Sequence, residues 1–207
     1  MNCFCCGKPI IKNEINGWHR SCVKRFFGTN VLPEIEINDH TLEAIAKEST
    51  RKGITVPGVQ KKLSLHLHSE GKAPRLTLVN YPAGYILKPQ VTEFECLPEA
   101  EQSVMSMAGA TGIPTVPHAL IKSGDAYAYI TKRVDRIIDN NIIQMLAMED
   151  FCQLDLRQAQ DKYKGSYERC AKIIAKYSSQ AKLDMTELFM RLVFSFVTVL
   201  LRSLCPL

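Results

Sequence analysis

The sequence predicts an α+β fold in three parts: a small Cys-rich head, a mostly antiparallel sheet with one inserted helix, and an all-helical tail. Three observations predict it. Four of the eight cysteines fall within the first 22 residues. Between Ile54 and Lys132 the apolar residues recur mainly with a period of two, interrupted once by helical spacing; past Asp135 helical spacing takes over. The charge is as uneven as the thiols: of a net +5 over 207 residues, the first 28 hold +4, from Lys8, Lys12, Arg20, Lys24 and Arg25 against Glu14. The chain is not basic overall; its head is.

Composition sets the outer limits. At 46% hydrophobic and 23% charged residues, the chain is neither disordered nor collagenous, and 207 residues suffice to bury a core. No stretch reaches the ~18 apolar residues of a membrane span; Leu192–Leu201, bounded by Arg191 and Arg202, suits a buried helix instead. The N-terminus lacks the basic-then-apolar pattern of a signal peptide. A cytoplasmic protein with no membrane partner and no disulfides is expected.

The elements follow in order. Residues 1–28 form the head, too small to build a core unaided. Thr29–Asn38 reads as a linker containing Pro33, and a helix capped at Asn38 or Asp39 runs to a stop at Gly53. Leu63, Leu65 and Leu67 alternate with Ser64, His66 and His68 in a strand that turns at Ser69-Glu70-Gly71-Lys72 and returns over Arg75–Val79. The strand at Gly84-Tyr85-Ile86-Leu87 delivers Lys88. Pro98–Ala110 has helical spacing and ends at Gly112; strands Thr115–Ile121 and Ala126–Lys132 flank Ser123-Gly124-Asp125. Past Asp135 the strand signals fade, and Met148–Leu156, Ser166–Tyr177 and Asp184–Leu201 read as helices.

Four constellations carry chemistry. In Cys3-x2-Cys6-x12-His19-x2-Cys22, two ligand pairs separated by a short loop can present a tetrahedral set to a structural Zn²⁺, with no open position for catalysis. Gly7 allows the tight turn after Cys6. The plainer alternative is a thiol-rich terminus without metal, Cys5 being a surplus thiol. The loop Gly53-Ile-Thr-Val-Pro-Gly58-Val-Gln-Lys-Lys62 suggests phosphate binding but matches neither a Walker A loop nor the kinase Gly-x-Gly-x-x-Gly pattern. A turn entering a strand fits it equally. Lys88 at a strand end and Glu101 on the next helix have the arrangement by which kinases aim an ammonium at the α/β-phosphates; a solvated lysine before Pro89 is the alternative. Asp135-x4-Asn140 has the spacing of a kinase catalytic loop but lacks the preceding His and lies where sheet gives way to helix, so it reads as a junction. His40 and His118 have no evident partner.

In this order the pieces resemble the HipA-like serine/threonine kinases of bacterial toxin–antitoxin systems, over roughly residues 50–198. The resemblance rests on seven blocks in register: Thr55-Val-Pro-Gly-Val-Gln-Lys-Lys62, Tyr85-Ile-Leu-Lys88-Pro89, Leu97-Pro-Glu-Ala-Glu101, Gly112-Ile-Pro-Thr-Val-Pro117, Ile130-Thr-Lys-Arg-Val-Asp-Arg136, Met148-Glu-Asp-Phe-Cys-Gln153 and Asp161-Lys-Tyr-Lys-Gly165. The Cys-rich head followed by Phe26-Phe27-Gly28 is similar to a Bacteroides-type short branch of that family. The resemblance implies a kinase-like nucleotide-binding N-lobe over 53–135, a partial helical C-lobe over 136–207, and a linker and helix over 29–52 joining them to the zinc head. It implies ATP and Mg²⁺ as cofactors. Gly58, Gln60 and Lys62 would belong to the phosphate-covering loop, with Thr55 where some members carry an autophosphorylated Ser. Lys88 would contact the α/β-phosphates with Glu101 as its partner, and Lys132, Val134 and Asp135 would line the adenine hinge. The implied partners are a helix-turn-helix antitoxin, through which any contact with DNA is indirect, and a protein substrate offering Ser or Thr, for example in the translation machinery.

One departure limits that reading. Family members continue after the region of Leu192–Thr198 into a Gly-Asn-x-Asp-x-His-x-x-Lys-Asn loop that supplies the catalytic Asp and a metal-binding Asn. These 207 residues read Val199-Leu-Leu-Arg-Ser-Leu-Cys-Pro-Leu207 instead, so no catalytic residue is assigned and a truncated, catalytically silent kinase is expected. The alternative from another class is a zinc-stabilised interaction module whose basic head binds nucleic acid or an antitoxin–operator complex, with Trp18, Phe26 and Phe27 as its stacking surfaces.

Overall fold

The computed structural model describes residues 1–11, 14–35, 62–68, 74–78, 84–139, 142–162 and 164–204. They divide into two units, Met1–Met107 with Thr115–Met145, and Ala108–Pro114 with Leu146–Leu207. The expected helix after Asn38 lies outside the described residues, as does His40.

In the first unit the head begins with a two-residue hairpin. Strands β1 (Glu14–Ile15) and β2 (Trp18–His19) pair antiparallel around Asn16-Gly17, whose φ values of 47° and 84° are both positive, as a tight primed turn requires. Gly17 has a second reason to be glycine: a Cβ there would run into the Phe4 ring. Helix α1 (Arg20–Phe27) follows and closes at Gly28, whose N–H donates to Lys24 O at 2.9 Å. It buries Cys22, Val23, Phe26 and Phe27 and turns Arg20 and Lys24 outward.

The sheet has six strands: β3 (Glu34–Ile35), β4 (Leu63–His68), β5 (Arg75–Leu78), β6 (Tyr85–Pro89), β7 (His118–Ser123) and β8 (Ala126–Lys132), in the order β3-β5-β4-β6-β8-β7. Every neighbour is antiparallel except β3, which lies parallel to β5. The stretch read as a linker thus contributes an edge strand. β7 starts at His118 and not at Thr115, because Pro114 and Pro117 supply no N–H to a ladder. Helix α2 (Leu97–Ala110) is the expected insertion.

Strand alternation sorts side chains onto two faces. Tyr85, Leu87, Ala119, Ile121, Ala128 and Ile130 lie on one and are buried in a single cluster with Cys3, Trp18, Cys22, Val23, Phe26 and Phe27 of the head. Lys88, Tyr129 and Leu120, opposite one another in register, lie on the other, to which α2 is tied. The head therefore covers one face and α2 the other.

Beyond Asp135 the structure corrects the sequence reading. Strands β9 (Arg136–Asp139) and β10 (Ile142–Met145) pair antiparallel. The β-branched pairs Ile137-Ile138 and Ile142-Ile143 on either side of Asn140-Asn141 are the signal for that hairpin.

In the second unit helix α3 (Phe151–Leu154) starts at a reciprocal cap: Asp150 Oδ1 accepts from Gln153 N at 2.9 Å, and Gln153 Oε1 accepts from Asp150 N at 2.8 Å. Asp150 also pairs with Lys162 at 2.8 Å, which joins the Met148–Gln153 and Asp161–Gly165 blocks. Helix α4 (Tyr167–Tyr177) is capped by Ser166, and Arg169 in its first turn reaches Asp155 at 2.6 Å. Helix α5 (Ala181–Leu204) presents an open apolar groove of about 370 Å³, lined by Ile113, Phe189, Met190, Val193, Phe194 and Val197. Among the described residues, no helix is long and apolar enough to cross a membrane.

Asp135 holds the end of the antiparallel sheet. Its carboxylate accepts from Arg133 Nε at 2.9 Å and from a terminal nitrogen of each of Arg133 and Arg136 at 2.6 Å, and all three side chains are nearly buried. Arg133 above all holds the carboxyl below the usual carboxylate range. A depressed folded value means this contribution is complete above the unfolded pKa of about 3.9 and is lost as pH falls through the folded one. Asp135→Asn should therefore cost about 3 kcal/mol in urea denaturation at pH 7 by leaving two guanidiniums under-compensated. The gap from wild type should narrow below about pH 4. A gap independent of pH would show that the carboxylate's charge is not what the junction uses.

Candidate functional site

The head brings together the four predicted metal ligands. One donor atom from each of Cys3, Cys6, His19 and Cys22 lies within 4.8 Å of every other, against sulfur–sulfur edges of about 3.8 Å in a tetrahedron of 2.3 Å Zn–S bonds. Cys6 Sγ is 3.4 Å and Cys22 Sγ 3.9 Å from His19 Nδ1. On the far side of the ring, His19 Nε2 lies 3.2 Å from Pro9 O, which can only accept. In the neutral ring that bond turns the Nδ1 lone pair toward the thiols, the outer-shell arrangement of a metal-binding histidine. Gly7, at φ 68°, closes the turn by donating to Cys3 O at 2.9 Å, and His19 N donates to Cys3 Sγ at 3.4 Å.

The thiols of the cluster are shifted in opposite directions. Burial raises the Cys3 thiol, but backbone N–H groups of Cys6, His19 and Cys5 overcome it and bring Cys3 down to about 7. Cys22 goes the other way, pushed far up by burial and by the charge of Cys5 and Cys3. A divalent ion would ionise all its thiol ligands. The donor set fits Zn²⁺. Cys5 stands outside it, against Arg25, which also donates to Cys22 Sγ at 3.8 Å.

The same packing removes the head's stacking surfaces. Trp18 is fully buried, Phe26 and Phe27 nearly so. Phe26 and Phe27 lie 5.9 and 5.5 Å from the Tyr85 ring, and the Tyr85 hydroxyl donates to Phe26 O at 3.2 Å.

On the opposite face of the sheet, Lys88 Nζ of β6 is ion-paired with Glu101 Oε1 of α2. The lysine sits 5.3 Å above the centroid of Tyr129, its register partner on β8. Burial and the Glu101 charge together push the Tyr129 hydroxyl upward, keeping it neutral. Beside Glu101, Gln102 is nine-tenths buried; its Oε1 accepts from His118 Nδ1 at 2.8 Å. Tyr129 and the Gln102–His118 pair are absent from the sequence reading. The alternation of Tyr127 with Tyr129 could have pointed to the first, but no local pattern marks the second.

The other assigned residues are placed unequally. Thr55, Gly58 and Gln60 lie outside the described residues; Lys62 is half-buried just before β4. Lys132 closes β8 opposite Tyr85, three residues and about 10 Å along the sheet from the Lys88–Tyr129 pair. Val134 is 58% exposed, and the Asp135 carboxylate is taken up by Arg133 and Arg136.

Comparison with known proteins bears on the family and the fold. A "Putative kinase" of Haemophilus influenzae is 22% identical over 205 residues, covering 92% of this chain and 57% of its own length. Among solved structures, the HipA chain of the Shewanella oneidensis MR-1 toxin–antitoxin complex of HipA, HipB and operator DNA matches with a TM-score of 0.51 at 20% identity. That match covers 70% of this chain and 37% of that one. The chain thus spans little more than half of the first relative and about a third of the second. Residues 54–199, more than half of the chain, match the family model described as the HipA-like C-terminal domain, and the chain belongs to the HipA-like family.

Proposed function

We propose that this chain is the nucleotide-binding part of a HipA-like serine/threonine protein kinase, carried on a zinc-stabilised head. The single observation that supports it most is the Lys88–Glu101 ion pair over Tyr129. A lysine held at a strand end by a helical carboxylate, with an apolar ring beneath it, presents an ammonium in fixed orientation, as recognition of the α/β-phosphates of ATP requires. Lys62 and the preceding loop with Thr55, Gly58 and Gln60 would cover the phosphates. The backbone at Lys132 and Val134 would meet the adenine, with Asp135 fixing that segment through its two arginines. Mg²⁺ would enter with the nucleotide and neutralise phosphate charge.

Phosphoryl transfer also requires groups that hold the metal and orient the attacking hydroxyl. These 207 residues contain no Gly-Asn-x-Asp-x-His-x-x-Lys-Asn sequence, so the role proposed for them is nucleotide binding and not transfer of the phosphate. The Shewanella HipA was solved with HipB and operator DNA. By analogy the partner of this chain is a helix-turn-helix antitoxin, with DNA reached through it, and the family's substrate is a protein Ser or Thr. The reading of the head as a nucleic-acid module has less support, since its aromatic rings serve the core.

In the head, Cys3, Cys6, His19 and Cys22 would hold Zn²⁺, which supplies cross-linking and charge neutralisation, not catalysis.

Two experiments test these readings. Binding of a fluorescent ATP analogue with Mg²⁺ should weaken about 10- to 100-fold in Lys88→Ala, the worth of one charge-assisted hydrogen bond, while radiolabelled ATP leaves no label on the chain or on added protein. Affinity indifferent to Lys88 would remove the nucleotide site, and incorporated label would refute silence. For the head, elemental analysis should find about one zinc per chain, retained in Cys5→Ser and lost in Cys22→Ser. Chelation should lower Tm by at least about 5 °C, and zinc should bind more weakly at pH 5.5 than at 7.5 because its thiols must lose protons. Zinc that survives in Cys22→Ser would mean a different ligand set.

A further inference from the structure

The head and the Lys88–Glu101 pair lie on opposite faces of the sheet, yet one residue of the head reaches both. Phe4, between the ligands Cys3 and Cys6, wraps the free edge of β7. Its N–H donates to Gly17 O at 2.9 Å, within the head. Its carbonyl accepts from Leu120 N of β7 at 3.0 Å and from Gln102 Nε2 of α2 at 3.4 Å. Its ring packs edge-on to Tyr127 of β8, with centroids 5.1 Å apart. Gln102 is anchored from both ends, its amide oxygen by His118 and its nitrogen by Phe4 O and Ser106 Oγ.

Helix α2 depends on such bonds. Its neighbour on the sheet side of Glu101 is the Lys88 ammonium, a single flexible contact, whereas Gln102 is nine-tenths buried and bonded to two other elements. Because Glu101 and Gln102 are consecutive, fixing the second fixes the rotation of α2 that points the first at Lys88. The head meets the lysine's own strand as well, through Tyr85, three residues before Lys88, whose hydroxyl donates to Phe26 O. Both partners of the ion pair are thus braced by the segments that carry the metal ligands, Cys3-Phe4 on one side and Cys22–Phe26 on the other.

We propose that Gln102 is a positioning residue: through the Phe4 carbonyl it couples the metal-ligating head to the rotation of α2, so that an ordered head holds Glu101 on Lys88. The significance of that pair for ATP rests on the nucleotide reading above, and the chelation arm of the test on the zinc reading, which elemental analysis of the same sample checks separately; the Gln102–Phe4 coupling rests on neither.

The test reads the pair directly. The full chain, zinc-loaded, is treated with an acetylating ester, and the modification rate of Lys88 is followed by mass spectrometry against Lys24, which is exposed in the head. Glu101→Gln sets the rate for a released lysine. Gln102→Met, of equal length and without either hydrogen bond, should raise the Lys88 rate about fivefold, as loss of a bond of ordinary strength implies. Gln102→Glu keeps an acceptor for His118 but has no N–H for Phe4 O, and should come close to the methionine variant. A purely structural role for the His118 bond would leave Gln102→Glu at the wild-type rate. Chelating the zinc should raise the rate in wild type and add less than twofold in Gln102→Met, since the coupling is already cut. Unchanged circular dichroism in both variants excludes unfolding as the cause. Lys88 rates unchanged in both variants overturn the proposal, and so does chelation that raises wild type and variant equally or leaves wild type unchanged. ATP-analogue binding is measured separately. A chain that shows the expected Lys88 rates but binds no ATP analogue keeps this coupling and loses the nucleotide reading.

Discussion

Burial of Trp18 is the constraint on which the rest of the first unit depends. An indole with no exposed surface must be enclosed on every side, and a head of 28 residues cannot do that from its own chain. Phe26 and Phe27 supply one wall, and the sheet face with Tyr85, Leu87 and Ile130 belongs to the same buried cluster. The head is therefore a layer of the fold and not an appendage. Two of its thiols, Cys3 and Cys22, are buried in that cluster, so the ligand geometry and the sheet's core are set by the same side chains.

With one face of the sheet occupied by the head, the polar work falls to the other. Lys88 alternates with Leu87 and Pro89, both buried, so the pleat that sends the apolar residues inward sends the ammonium to the α2 side. There Tyr129 offers a ring and Glu101 a counter-charge. The lysine needs no loop to place it. Strand register sets where its side chain leaves the sheet, and the helix opposite supplies the carboxylate that holds its end.

Periodicity made much of this legible. The alternation Leu63-Leu65-Leu67, the helical spacing over Pro98–Ala110 and the Cys/His spacing of the head each reflect a local rule, and each corresponds to an observed element or cluster. Lys88 and Glu101 could be paired from the residue types at a strand end and on the next helix. What stayed hidden depends on partners far away in sequence. β3 is two residues long and exists because β5 lies beside it. Gln102 gains meaning only from His118 and Phe4, neither within ten residues of it. The β9–β10 hairpin was missed for another reason: its isoleucines fell where the surrounding pattern already read as helical.

The bond between Phe4 O and Leu120 N spans 116 residues, which has a consequence for how the chain is made. Synthesis at about 5–20 residues per second leaves Phe4 waiting on the order of ten seconds for the strand that receives it. Through that interval Cys3, Cys5, Cys6 and Cys22 have no sheet to cover them. Contacts of such long separation also form late and slowly. The fold of the head is thus not complete until Leu120 has been made, and its edge contact closes across more than half of the chain.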